Sequence, residues 1–297
     1  MSERPSARES LTSDSPVRER PPGLWSRLRR HKLAVFSGAV VAFMTAMCAA
    51  APILTDYEFD AIDLGSIREA PSLDHWMGTD DLGRDLFTRI LYGGRVSILI
   101  GVLSALIGTL LGSTVGSVAG FYGGRLDNVL MRITDVAYAI PTLPLLIVLA
   151  SYGAATGGSM ALIIGLLSWM TTARVVRGEV LSIKEMAYVE AARSLGATDW
   201  RILVHHILPN AVGPIVVGAT LAVGNAIIVE SSLSFLGLGV QPPIPTWGNL
   251  LMDAQATMAT KPWLTIFPGM AILLVVLAVN FIGDGLQDAL DPTGREA

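Results

Sequence analysis

Residues 96–120 read VSILIGVLSALIGTLLGSTVGSVAG, with no charged side chain anywhere in the run. A helix of about 20 apolar residues crosses the hydrocarbon core of a bilayer, so this stretch is long enough to span one. Ser104, Gly108, Gly112, Gly116 and Gly120 recur at intervals of four and fall on one stripe of that helix. Lipid supplies no hydrophobic drive between helices, and a small-residue stripe is what lets two backbones approach closely. The stripe therefore predicts a tightly packed neighbour, in this chain or in a partner subunit.

Working outward, five more apolar segments follow the same rule. With 96–120 they make six, at 33–55, 96–120, 131–152, 159–174, 211–234 and 264–283. The composition of the 297-residue chain agrees: 52% hydrophobic and only 15% charged residues, with a mean hydropathy of +0.54. Soluble domains carry about 25% charged residues. The fold class is an all-α polytopic membrane protein with six transmembrane helices. The net charge of −4 gives no sign of nucleic-acid binding. Cys48, alone of its kind, lies in an apolar run and reads as a structural thiol.

The distribution of basic residues sets an expected orientation. With the N-terminus in the cytoplasm and six crossings, 16 of the 21 Lys and Arg residues lie inside. Eight precede the first span, Arg125 and Arg132 follow the second, five lie between the fourth and fifth, and Arg295 is in the tail. Arg68, Arg84, Arg89, Arg95 and Lys261 are left outside, as the positive-inside rule predicts. Both termini are expected in the cytoplasm. The sequence divides into a basic tail over 1–32, disordered by composition in its first 24 residues, and a first span over 33–55. An outer acidic segment over 56–94 follows, then a core over 95–283 that contains a polar loop at 174–209, and a tail over 284–297. The small residues Ala49, Ala50 and Ala51 resemble a signal-peptide cleavage site, but the apolar stretch exceeds the 7–15 residues of a signal core, which favours an anchor.

Few polar features interrupt the spans. Asp135, early in the third, and Glu230, late in the fifth, are candidates for a translocation route because a charge at depth is expensive to keep. Pro141 and Pro144 each remove a backbone donor from the third span and should bend it, as a pathway lining or as a simple kink. Asn225 and Asn280 read as interhelical hydrogen-bond partners. The segment 237–263, with Pro242, Pro243, Pro245, Trp247 and Pro262, reads as a rigid, partly embedded loop.

Several chemistries are excluded. The three lysines, Lys32, Lys184 and Lys261, do not follow a glycine, so there is no Walker A loop and no ATP hydrolysis by this chain. His31, His75, His205 and His206 all lie outside the apolar spans, which leaves no serine–histidine pair at depth, and the His-Glu-x-x-His motif is missing. Adjacent His205 and His206 face different sides of a helix and make a poor metal pair.

The most specific segment is the polar loop. Met186, Val189 and Leu195 recur at helical spacing around Glu190, Ala191 and Ala192. Gly196 is placed to stop that helix in a left-handed conformation, and Thr198 or Asp199 to cap a second helix from Trp200 to Leu208, halting before Pro209. The product is a helix–glycine–helix elbow whose small residues admit another protein's surface.

Glu190-Ala191-Ala192, Gly196 and Leu208-Pro209 resemble the EAA loop of ABC importer permeases. His206 stands where that family places an isoleucine, with Ile207 next to it. The runs Gly78-Thr79-Asp80-Asp81-Leu82-Gly83-Arg84-Asp85, Gly93-Gly94-Arg95-Val96-Ser97, Ser232 to Gly239 and Thr246-Trp247-Gly248 resemble the C-type permease of dipeptide and oligopeptide importers, as does the approach to the first span from Arg27 to Ala34. Asp291-Pro292-Thr293 departs from the Asp-Pro-Arg of many relatives. The resemblance covers about residues 25–292.

The resemblance implies a type I importer permease fold in the bacterial cytoplasmic membrane, with the elbow as the coupling helix. Glu190, Ala191, Ala192, Gly196, Leu208 and Pro209 would contact an ATPase subunit. The implied partners are a B-type permease, two ATPase subunits that hold ATP and Mg, and an extracytoplasmic solute-binding protein. No cofactor or metal is expected on this chain. Independently of the resemblance, the acidic outer segment reads as a contact for the binding protein through Asp80, Arg84 and Asp85, or as a solvated charged loop in which those three form a local network of exposed ion pairs that adds little stability. Peptides are the implied cargo, with nickel chelates or glutathione-like solutes as the alternative. An ATPase-independent secondary transporter would show inverted repeats, and none is evident in the sequence.

Overall fold

The computed structural model describes residues 31–153 and 156–290. The basic tail before His31 and the Asp291-Pro292-Thr293 departure lie outside the described residues. Among the described residues the secondary structure is helical, with one isolated antiparallel bridge between Thr79 and Asp85.

Twelve helices are numbered in chain order: α1 (Lys32–Ala49), α2 (Ala51–Leu54), α3 (Leu86–Tyr122), α4 (Gly124–Ala139), α5 (Thr142–Gly153), α6 (Gly157–Leu166), α7 (Trp169–Lys184), α8 (Ala187–Ser194), α9 (Asp199–Ile202), α10 (Leu208–Phe235), α11 (Trp247–Ala254) and α12 (Trp263–Leu290). A π-helical turn, Leu203–Ile207, joins α9 to α10 without a break. Four helical stretches are long and apolar enough to cross a membrane: α1, α3, α9 through α10, and α12. The pairs α4–α5, bent by 82°, and α6–α7, bent by 45°, pass the same test when each is taken together, giving up to six spans.

The helix containing the glycine stripe starts at Leu86, ten residues before the apolar run, inside what the sequence reads as outer segment. Asp85 is the reason. Its carboxylate accepts hydrogen bonds from the Thr88 amide and hydroxyl, both at 2.7 Å, and so caps the helix. At 37 residues α3 is about 55 Å long, well beyond the hydrocarbon thickness of about 30 Å.

The glycine stripe packs inside this chain. A Cβ at Gly112 would stand 2.5 Å from the Trp169 carbonyl oxygen, one at Gly116 would stand 2.4 Å from that of Ala173, and one at Gly120 would stand 2.9 Å from that of Arg177. Those carbonyls follow α7 turn by turn, so α3 and α7 lie backbone against backbone.

The third span is broken rather than bent. Ile140 is extended, as a residue before proline tends to be, and Pro141 follows it at the break. Pro144 removes nothing, because it sits in the first turn of α5 where an N–H has no helical partner. At the far end of the elbow, Pro209 does not halt the second helix. The π turn just before it bonds the Leu208 amide to the Leu203 carbonyl, and its wider coil accommodates the missing N–H. The segment 237–263 carries α11, whose Trp247 is wholly buried and donates from Nε1 to the Ile90 carbonyl at 3.0 Å.

Two ends result. At one, the elbow, the start of α1 and the end of α12 lie together: His31 reaches Asp288 at 3.4 Å, and Leu290 packs over Gly213. At the other, residues 56–85 and α11 form a cap.

Candidate functional site

The elbow is built from α8, Gly196 and α9. The Ala197 amide bonds to the Ala192 carbonyl at 3.1 Å and the Gly196 amide to that of Arg193 at 3.0 Å, which closes α8 with a Schellman turn. Gly196 has φ +80° with open space around it, so backbone conformation and not crowding demands glycine there. Thr198 then caps α9.

Of the three apolar residues read as the core face of α8, Val189 alone is buried. Met186 is half exposed and Leu195 is 89% exposed. Val189 packs with Val176, Val180 and Ile183 of α7 and with Ile202, Leu203 and Ile207, so the elbow is one body with the end of α7 and the start of α10. Leu208 packs against this cluster, and Pro209 is exposed in the first turn of α10. The outer surface presents Glu190 and Ala191, with Ala192 half buried, beside exposed Tyr188, Leu195 and Trp200. Large apolar side chains this exposed, next to a tight glycine turn, mark a surface suited to a partner protein.

Between the two bent pairs and α10 lies a cavity of about 550 Å³. Tyr138 and Thr142 flank the break between α4 and α5 on its wall, Thr171 and Val175 come from α7, and Asn225 and Pro214 from α10. None of its lining residues carries a charge. Asn225, read as an interhelical partner, faces this space instead. Apart from Asn225, the residues that line it were not singled out in the sequence, although a tyrosine three positions before a proline break and the Thr171-Thr172 pair are the polar marks that could have drawn attention.

The two charged candidates in the spans lie elsewhere. Glu230 is fully buried and does not line the cavity. Its carboxylate accepts from Ser97 at 3.1 Å, Ser234 at 2.7 Å and Ser231 at 3.4 Å, and the Ser97 hydroxyl in turn accepts from the Trp247 amide at 3.2 Å. The group ties α3, α10 and α11 together. It is satisfied by hydroxyls, which is what allows a carboxyl group to persist at depth. Asp135 is half exposed and receives a hydrogen bond from Arg174 at 2.9 Å.

Asp80, Arg84 and Asp85, read as a contact for another protein or as a local network, form the network. Asp80 accepts from the Leu82 and Arg84 amides at 2.8 and 3.0 Å, from Arg84 Nε at 2.7 Å and from Arg89 Nη1. Asp85 caps α3 and meets His75 Nδ1 at 3.0 Å. Both carboxylates are buried, so they offer no docking surface, and the ion pairs are not the exposed ones the sequence suggests. Asp253 of α11 lies 3.3 Å from Arg89 and 3.6 Å from Arg84. Burial pushes its carboxyl above the ordinary range while the two arginines pull it down.

Comparison with known proteins gives a consistent family. Residues 112–295 match "Binding-protein-dependent transport system inner membrane component", and residues 23–71 match "N-terminal TM domain of oligopeptide transport permease C". A glutathione transport system permease protein, GsiD of Pectobacterium atrosepticum, is 43% identical over 90% of this chain and 89% of its own length. The dipeptide transport system permease protein DppC of Alkalihalophilus pseudofirmus is 38% identical over 97% and 93%. The oligopeptide transport system permease protein OppC of Bacillus subtilis is 39% identical over 91% and 88%. A solved structure of the inward-facing MetNI methionine ABC transporter aligns with a TM-score of 0.55 at 20% identity, covering 68% of this chain and 96% of that one.

Proposed function

Because this chain belongs to the family of binding-protein-dependent transport system inner membrane components, as a C-type permease of the peptide ABC importers, we propose that it passes dipeptides or oligopeptides across the bacterial cytoplasmic membrane. The fold is the type I importer permease fold. The elbow and both chain ends face the cytoplasm and the cap faces outward, a sidedness supported by the positive-inside count.

In this reading a B-type permease completes the pathway, and an extracytoplasmic binding protein delivers the solute. Two ATPase subunits hold ATP and Mg, one of them against this elbow and the other against that of the B-type permease. The chain itself binds no nucleotide, cofactor or metal and performs no chemistry. Closure of the ATPase pair on ATP would draw the elbows together, and the shared core around Val189 would carry that movement into α7, one wall of the cavity. This is a two-state bias applied through a rigid element.

The observation that supports it most is the elbow itself: an exposed Glu190–Ala191 surface closed by a left-handed Gly196 and fixed by Val189 to a cavity-lining helix. Glutathione is the second reading for the cargo, favoured by the GsiD relative.

The test is purification of the tagged chain from native membranes in mild detergent, with ATP-driven uptake measured in parallel. Recovery of a second permease and Walker-containing ATPases, with uptake lost in Gly196→Val at normal expression, is expected. Normal uptake by Gly196→Val would remove the elbow from the mechanism.

A further inference from the structure

The helix α4 is joined to the rest of the protein in an unusual way. Thr134 is its only buried residue. At its start, Gly123 and Gly124 have φ +65° and +58°, and no atom lies within 4 Å of where a Cβ would stand on either. Two consecutive left-handed residues in open space make a joint with few steric stops. At its end come extended Ile140 and the 82° break.

What fixes α4 between these joints is a short ladder of side chains reaching α7. Arg177 grips Asp127 through two bonds, at 2.5 and 2.7 Å. Arg174 bonds Asp135 at 2.9 Å, and its guanidinium lies over the Tyr138 ring, 4.4 Å from the centroid. Tyr138 is a wall residue of the 550 Å³ cavity. Thr171 and Val175, either side of Arg174 on α7, are wall residues too. The same α7 runs on to Ile183, which packs on Val189 of the elbow.

We infer that Arg174 is a positioning residue for transport: it holds the Tyr138 ring at the cavity and makes α4 follow α7 when the elbow moves. The flat guanidinium does two jobs that a point charge cannot combine, stacking on the ring while pairing with the carboxylate one turn away. Without it, Arg177 still holds the start of α4 through Asp127, but the end that carries Asp135 and Tyr138 can lag behind α7 and the elbow, so that ATP is hydrolysed with the pathway wall unmoved. The inference rests on the elbow being the ATPase contact.

The experiment uses the full importer, reconstituted with its partner permease, ATPases and binding protein. Spin labels at Val136→Cys on α4, beside Asp135, and Ser182→Cys on α7 report the distance between the helices, without nucleotide and with ATP trapped. Otherwise wild-type protein is expected to give one narrow distribution that is the same in both states. Arg174→Gln is expected to broaden it, and to lower uptake of tritiated glutathione and of tritiated alanyl-alanine per ATP hydrolysed by about fivefold or more, the lower range for coupling between sites. Arg174→Lys, which regains the charge opposite Asp135 but not the flat stack, is expected to recover only part. If Arg174→Gln does not assemble, Tyr138→Leu removes the ring while leaving the pair with Asp135, and must broaden the distance as far as Arg174→Lys does.

A narrow distribution in Arg174→Gln, or full recovery by lysine, overturns the inference. Gly196→Val tells the two failures apart. Normal uptake there fails the elbow assignment, whereas loss of uptake there beside a wild-type distance in Arg174→Gln fails only the role of Arg174.

Discussion

Arginine–aspartate pairs stand at both ends of this bundle, on opposite terms. At the cap, the Arg89 and Asp80 side chains are 3% and 6% exposed. At the elbow end, Arg174 and Asp135 are 44% and 52% exposed. The cap pair sits among the Asp80 turn, the start of α3 and α11, where a buried charge is tolerated only with its partner present. The Arg174–Asp135 pair bridges α4 and α7 with both side chains open at the surface of this chain, so losing one partner shuts no charge inside the protein. The cap pairs therefore secure structure, and the elbow-end pairs secure a relation between two helices that must be able to move.

The largest effect should come from the cap. Arg89→Met leaves Asp80 buried with Arg84 alone, a loss of about 3 kcal/mol by analogy with broken buried pairs. Thermal unfolding in detergent should show it, with reduced recovery from the membrane. Adding Asp80→Leu should deepen the loss rather than recover it, because the Leu82 and Arg84 amides and Arg84 Nε then lose their acceptor too. Wild-type stability of Arg89→Met would break the comparison at its stronger side.

Next comes the spine between the two ends. Gly116→Ala drives a methyl to within 2.4 Å of the Ala173 carbonyl oxygen, and backbone has little room to retreat. Overpacking of about 1–3 kcal/mol is expected, visible as a lower melting temperature. A smaller loss, about 1–2 kcal/mol, is expected of Gly196→Ala, where φ is +80° and nothing crowds the new methyl. Because the strain is local, hydrogen exchange at the Ala197 amide should rise while the cap stays protected. Equal exchange at both ends would show that the strain at Gly196 is not confined to the elbow.

The comparison also explains what was legible in the sequence. Apolar runs and the four-residue glycine spacing report directly on burial in lipid and on close packing, so the spans and the α3 stripe could be read. The Gly196 turn was legible because a single left-handed residue has a strong chemical preference. The start of α3 was not, since Arg89 and Arg95 look like loop residues until Asp80 and the Cys48 carbonyl are seen to receive them. Glu230 looked like a pathway charge because its three serine partners include Ser97, 133 positions away. Asp80 and Asp85 looked like docking groups for the same reason: a carboxylate's partners decide its role, and partners distant in sequence leave no local mark. The π turn before Pro209 is a compensation that periodicity cannot show.

The smallest stability effect is expected where the geometry looks best. Arg177 meets Asp127 with two parallel bonds, the arrangement that makes an ion pair strongest. Yet the Arg177 side chain is one-third exposed, against 13% for Asp127, so the pair is only partly shut in. Asp127→Asn keeps one acceptor and removes the charge, so a loss of no more than about 1 kcal/mol is expected, close to the limit of a melting measurement. Adding salt should narrow the gap from wild type further, as screening weakens an exposed pair but leaves the Arg89 network almost untouched. A loss as large as that of Arg89→Met, and insensitive to salt, would mean that the two ends are held by the same kind of interaction after all, and α4 would then have to be regarded as fixed.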